Sequence, residues 1–336
     1  MKFFIFFSLV FSSCQVIVFS EEGERKFYKG ADISWFSQME KGGFIFYDYD
    51  GNRKDLLLIL KENGINLIRL RTWVEPSDDP VNGHCSMEET IDMAKRVKGY
   101  GFVVMIDFHY SDSWADPSKQ YKPKKWEGLS FSELKEAVYE YTYTFMTNLI
   151  SNGVYPEFVQ IGNEINSGIL WPDGSYTNFR NLAELLDAGV KAVRRVSPNT
   201  KIVIHLAEGH NNSVFRWFFD NLHRYFYDYD VIGMSYYPYW AGGSWEYSIK
   251  LLISNIQDMV SRYGKEVMIV ETGHFWYEED ETYDMLITLI REVRGISKGL
   301  GVIYWEPQGA EVWSGYSMSC WGNDGKPTKA LKAFRD

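Results

Sequence analysis

Eight short apolar runs recur along this 336-residue chain, and helical patterns lie between them. The runs are "YKGADIS" (Tyr28–Ser34), "LIRLR" (Leu67–Arg71), "VVMIDFHY" (Val103–Tyr110) and "FVQIGNE" (Phe158–Glu164), then "KIVIHL" (Lys201–Leu206), "VIGMSYY" (Val231–Tyr237), "VMIVETG" (Val267–Gly273) and "GVIYWEP" (Gly301–Pro307). Most are rich in Val, Ile and Met without strict alternation, as parallel strands covered on both faces are. Between them, "DLLLILKENG" ends at Gly64 in the manner of a C-cap, and "SMEETIDMAKRVKGYG" opens with Ser86 and Glu89 in capping-box spacing. Helical patterns also open at Ser130, Asn178, Tyr247 and Glu281. Eight strand–helix units in about 300 residues predict an α/β fold, a TIM (β/α)8 barrel. An open doubly wound sheet would need a glycine-rich phosphate-binding turn after an early strand, and "KGADIS" is not one. No low-complexity segment, long charge run or Pro/Ser linker divides the chain, so one domain is expected over residues 27–336.

The formal net charge is -10, which argues against nucleic acid and anionic polymers as partners. Aromatic residues make up 17% of the chain, more than a core needs, and suggest rings used for ligand contact. A neutral ligand fits both facts. The first 20 residues, "MKFFIFFSLVFSSCQVIVFS", read as a secretory signal with cleavage after Ser20, which predicts an extracellular protein. A membrane anchor is the plainer alternative, but Ser12, Ser13, Cys14 and Gln15 interrupt the apolar run. Cys14 offers lipid attachment as a minor alternative. Beyond it only Cys85 and Cys320 remain, either as a disulfide or as free thiols, and no Cys/His cluster has metal spacing.

In such a barrel function collects where strands end. The second run ends with Arg69 and Arg71, the third with Asp107 and His109, the fourth with Asn163 and Glu164. The fifth ends with His205, the sixth with Tyr236 and Tyr237, the seventh with Glu271, and the eighth with Trp305 and Glu306. Glu164 and Glu271 then face each other across the barrel mouth, and paired carboxylates are the apparatus of glycoside hydrolysis. One must carry a proton while the other is ionised, so their surroundings must separate their pKa values. Asn163 can bind a sugar hydroxyl, a tyrosine of the sixth run can hold the nucleophile ionised, and Arg69 or Arg71 can fix Glu271. Trp305 offers a flat face to a sugar ring.

Each residue also has a plainer reading. Either glutamate alone could be a barrel-layer ion pair; the two at these positions argue for a site. His109 and His205 could be satisfied structural histidines, Arg71 a structural ion pair, and Asp107 a support for a neighbour. Trp114, Trp126, Trp171, Trp240 and Trp276 fall in loops, where some cover the barrel and others line a groove.

At these residues the chain resembles family 53 of the glycoside hydrolases, the endo-β-1,4-galactanases. The likeness rests on "KGADIS", "NLIRLRTWVEP", "DFHYSDSWADPSKQYKPKKW", "VQIGNEINSGILWPDG", "YDVIGMSYYPYW", "VMIVETG", "VIYWEP" and "NDGKPTKAL", from about Lys29 to the C-terminus. It implies Glu164 as acid/base and Glu271 as nucleophile of a retaining reaction, with carboxyls about 5–5.5 Å apart. It implies that Arg71, Asp107, His109, Trp114, Asn163, His205, Tyr237 and Trp305 serve substrate binding. The implied substrate is β-1,4-galactan, a neutral side chain of pectin, cleaved internally by a monomeric enzyme without a cofactor. Some bacterial members carry calcium beside a longer loop after the eighth strand. Here that loop is short and lacks clustered acids, so no calcium is expected. Trp35 stands where a smaller residue is expected. Two alternatives remain open: the same chemistry on mannan or β-glucan, and a non-catalytic glycan-binding barrel, which would have lost one glutamate.

Overall fold

The computed structural model describes residues 25–77, 79 and 83–335. The expected signal segment, with Cys14, lies outside them. Eight parallel strands close into one barrel. They are β1 (Tyr28–Asp32), β2 (Leu67–Thr72), β3 (Val103–Phe108), β4 (Phe158–Ile161), β5 (Lys201–Leu206), β6 (Val231–Tyr236), β7 (Glu266–Thr272) and β8 (Gly299–Trp305). The ladder closes between β1 and β8, in register from Tyr28↔Gly301 to Asp32↔Trp305. Several strands stop one to three residues before the sequence runs do, because the polar ends turn out of the ladder into the site.

Helices α1 (Leu56–Glu62), α2 (Met87–Gly99), α3 (Phe131–Ser151), α4 (Phe179–Val196), α5 (Asn212–Leu222), α6 (Trp245–Tyr263) and α7 (Glu279–Gly295) follow the first seven strands in turn. After β8 the helical position is filled by a 3-10 turn, Lys329–Phe334, packed against α7. Ser86 caps α2 by accepting from the Glu89 N–H at 3.3 Å. The reciprocal arm expected there is missing, because the Glu89 carboxylate is taken by Lys41 and His84. A complete capping box instead starts α3, with Ser130 and Glu133 exchanging both bonds. Gly64 follows α1 with φ +85, and a Cβ there would lie 2.2 Å from the Phe334 carbonyl oxygen, so only glycine fits.

Side-chain alternation builds the barrel interior. Tyr28, Leu67, Met105, Phe158, Val203, Val231, Met268, Val270, Leu300 and Ile303 form its apolar plug. A larger apolar layer fills the space between strands and helices. Two residues beyond the plug on the same inward faces come Arg69, Asp107, Gln160 and His205, all at or near zero exposure. The apolar lower layer excludes water, and the charged layer above it is the floor of the site.

Candidate active site

A cleft of about 870 Å³ opens at the C-terminal ends of the strands. Its size suits an oligomeric ligand. Glu164, Asn163, His109, Ser235, Tyr237, Glu271, Trp114, Trp305 and Trp35 are among the residues that line it.

Glu271 faces inward because of a β-bulge. On β7, Val270 already points into the apolar plug, so a regular strand would send the next residue outward. The register slips between Met234 and Ser235 of β6, which pairs Ser235 with Glu271 and turns that carboxylate into the cleft. Arg69 meets Glu271 Oε1 at 2.9 Å and also holds Asp32 at 2.7 Å and Asp107 at 2.8 Å. Tyr237 donates its hydroxyl to Glu271 Oε2 at 3.3 Å.

Glu164 leaves β4 through a left-handed turn. Gly162 has φ +82, and a Cβ there would come 2.6 Å from Ile165 Cγ2. Glu164 itself sits at φ +46, an unusual value for a non-glycine residue and one often found at working sites. Its Oε1 accepts from the Ser235 hydroxyl at 2.6 Å.

Burial raises both carboxyls. Glu164 is pushed up to about 7, with Asp116 and Asp107 raising it further and Ser235 and Arg69 opposing. Glu271 is raised by burial and by the Glu164 charge, while Arg69 pulls it down. The contribution from Glu164 disappears once Glu164 is neutral. Arg69 lowers both carboxyls, but it touches Glu271 directly at 2.9 Å. The arrangement thus brings two buried carboxyls with different partners into one cleft, beside aromatic faces.

Asn163 donates to the Ala115 carbonyl and accepts from Arg69. His109 lies 3.0 Å from Asp107 through Nε2, while its Nδ1 accepts from the Ala115 N–H at 3.2 Å. The rings of Trp35 and Trp305 stand edge to face at 5.0 Å, and Trp114 joins both. Trp35, unexpected in bulk, is thereby part of the wall itself.

Three residues expected to meet substrate stand one layer beneath the cleft. Asp107 is fully buried and holds Arg69 and His109. His205 is fully buried between Asn163 and Ser235. Arg71, expected to border the sugar, is only 1% exposed and is not among the residues that line the cleft. It pairs with Glu306 at 2.5 Å, and its guanidinium lies 4.4 Å from the centre of the Trp114 ring, so it supports the wall from behind. Of the loop tryptophans, Trp240 joins Trp114 at the cleft, whereas Trp126 is buried against Tyr110 and Tyr141. Ser235 was not singled out in the sequence. Its signal was the inward parity of Val231, Gly233 and Ser235 on one strand. Cys85 and Cys320 are buried free thiols. Among the described residues no group of three or more His, Cys, Asp or Glu could hold a metal ion.

A closed (β/α)8 barrel with two facing glutamates and aromatic walls at its strand ends defines the class: a barrel glycosidase. The model of glycosyl hydrolase family 53 matches residues 28–334. The chain belongs to that family. It is 34% identical to the endo-beta-1,4-galactanase of Bacillus subtilis (strain 168), over 85% of this chain and 71% of that protein. It is also 34% identical to the arabinogalactan endo-beta-1,4-galactanase of Humicola insolens, over 83% of this chain and 89% of that one. Among solved structures, the GH53 catalytic domain of Ignisphaera aggregans superposes with a TM-score of 0.85 at 37% identity, covering 92% of this chain and 96% of that one.

Proposed function

We propose that the protein hydrolyses internal β-1,4-galactosidic bonds of galactan with retention of configuration. The observation that carries this reading is the unequal pair: Glu271 against Arg69 at 2.9 Å and Glu164 against the neutral hydroxyl of Ser235 at 2.6 Å, in one cleft. Glu271 attacks the anomeric carbon while Glu164 protonates the departing glycosidic oxygen. The bond to that oxygen breaks, and a glycosyl ester forms on Glu271. Glu164, now ionised, takes a proton from water as water attacks the same carbon and frees Glu271. The neutral substrate agrees with the acidic chain and with relatives named as galactanases.

The test compares the wild type with Glu271→Ala on linear β-1,4-galactan, with mannan and β-glucan alongside, following product length and anomeric form. Short β-configured galactooligosaccharides are expected from the wild type, with a loss of at least about 1000-fold in the variant. Preference for mannan or glucan would overturn the substrate, and α-configured first products would overturn the mechanism.

A further inference from the structure

Glu164, Ser235 and His205 form a chain of hydrogen bonds that runs away from the cleft: Oε1 of Glu164 to Oγ of Ser235 at 2.6 Å, and Oγ to Nε2 of His205 at 2.8 Å. Its direction depends on which nitrogen of His205 carries hydrogen. The ring is fully buried beside Arg69, which keeps it neutral with a single N–H.

The surroundings of Nδ1 decide. The Glu164 backbone N–H points at it from 3.4 Å. The Gln160 side-chain nitrogen lies 3.1 Å away. That amide has one orientation only, because its oxygen accepts from Arg69 while its nitrogen donates to Asp107 at 2.6 Å and to the Gly162 carbonyl at 3.0 Å. One acceptor also stands near Nδ1, Asn163 Oδ1 at 3.0 Å. That oxygen faces the Arg69 guanidinium at 2.9 Å, and the Asn163 nitrogen is held by the Ala115 carbonyl. Both hydrogens of the Gln160 amide are taken by Asp107 and Gly162, so the donor aimed at Nδ1 is the Glu164 backbone N–H, which a ring hydrogen at Nδ1 would oppose. Nδ1 carries the lone pair and Nε2 carries the hydrogen.

With Nε2–H donating to Oγ, the single hydroxyl hydrogen of Ser235 has only Glu164 Oε1 to receive it. We propose that Ser235, oriented by His205, is a positioning residue that permanently donates to Oε1 of Glu164 and so confines the exchangeable proton to Oε2. The inference rests on the acid/base reading of Glu164. In the acid step the proton is presented from one oxygen in a fixed direction, and in the base step the same oxygen receives the proton of water. A carboxyl free to carry its proton on either oxygen would spend part of its time with the proton aimed at the wall.

Ser235→Ala tests this. The charged and titratable groups facing Glu164 are Arg69 from β2, Asp107 from β3, Asp116 from the loop after β3, His205 from β5, Tyr237 beyond β6 and Glu271 from β7. All remain in the variant, so a changed pH profile reports the lost hydroxyl. Its donor favours the ionised carboxylate, so removing it moves the alkaline limb of kcat/KM upward by about one pH unit. On galactan, kcat falls about tenfold or more. On an aryl β-1,4-galactobioside with an acidic phenol as leaving group, bond breaking needs little acid help, and the loss is smaller. Ser235→Thr keeps the hydroxyl and restores the wild-type limb. Ser235→Cys, close in volume and a weak donor, carries the same test if alanine impairs folding, with an upward move expected. An unmoved alkaline limb in both Ala and Cys variants, or equal losses on both substrates, overturns the proposal. Wild-type activity separates this from the parent reading: the profile can be taken on whichever β-glycan the wild type cleaves.

Discussion

Arg69 answers three buried carboxylates at once, those of Asp32, Asp107 and Glu271. Its partner in sequence, Arg71, points the same way two residues further along the strand, yet meets Glu306 and the back of Trp114 instead. Sequence could place both arginines at the barrel mouth. It could not say which of them reaches Glu271, because that depends on height along the strand and on the slip in β7. The same residues set a pH limit. In the proposed reaction Glu164 serves as acid only while protonated, and burial pushes its carboxyl up to about 7. kcat/KM on galactan is therefore expected to hold up to about pH 7 and then fall about tenfold per unit. A stopped assay across pH 5 to 9 measures it, and activity constant to pH 9 would remove Glu164 from the acid role.

Among the elements, what the sequence carried best was periodicity and what it hid was departure from it. All eight strands stand where the apolar runs placed them. The Gly64 cap stands too, and Gly64→Ala is expected to cost about 1–3 kcal/mol, since a left-handed backbone and the Phe334 carbonyl both exclude a methyl group. Urea denaturation with unchanged galactan kcat measures this; no change in midpoint would mean the chain end moves away freely. Helix α5 escaped notice because "NSVFRWFFDNL" reads as an aromatic cluster, although Phe215, Phe218, Phe219 and Leu222 have the spacing of one buried helical face. The bulge beside Glu271 leaves no mark in composition at all. It is a relation between two strands, and only their pairing exposes it.

At the scale of the molecule, the closed barrel holds a polar layer that would not stay assembled in an open sheet. Water is excluded from below by the apolar plug and from the sides by strand pairing. One consequence concerns endurance. A carboxyl whose folded pKa lies near 7, above its unfolded value, favours the fold at low pH and loses that contribution as pH rises through 7. Glu164→Gln removes the ionisation and keeps the acceptor for Ser235. The variant is expected to melt a few degrees above the wild type at pH 8, with the difference vanishing near pH 4.5. Calorimetry at the two pH values decides, and an advantage equal at both would show that charge is not its source. A barrel silenced in this way would outlive the working one and keep an uncut glycan in its cleft. On the proposed mechanism, turnover and longevity would be set against each other at a single oxygen-bearing side chain.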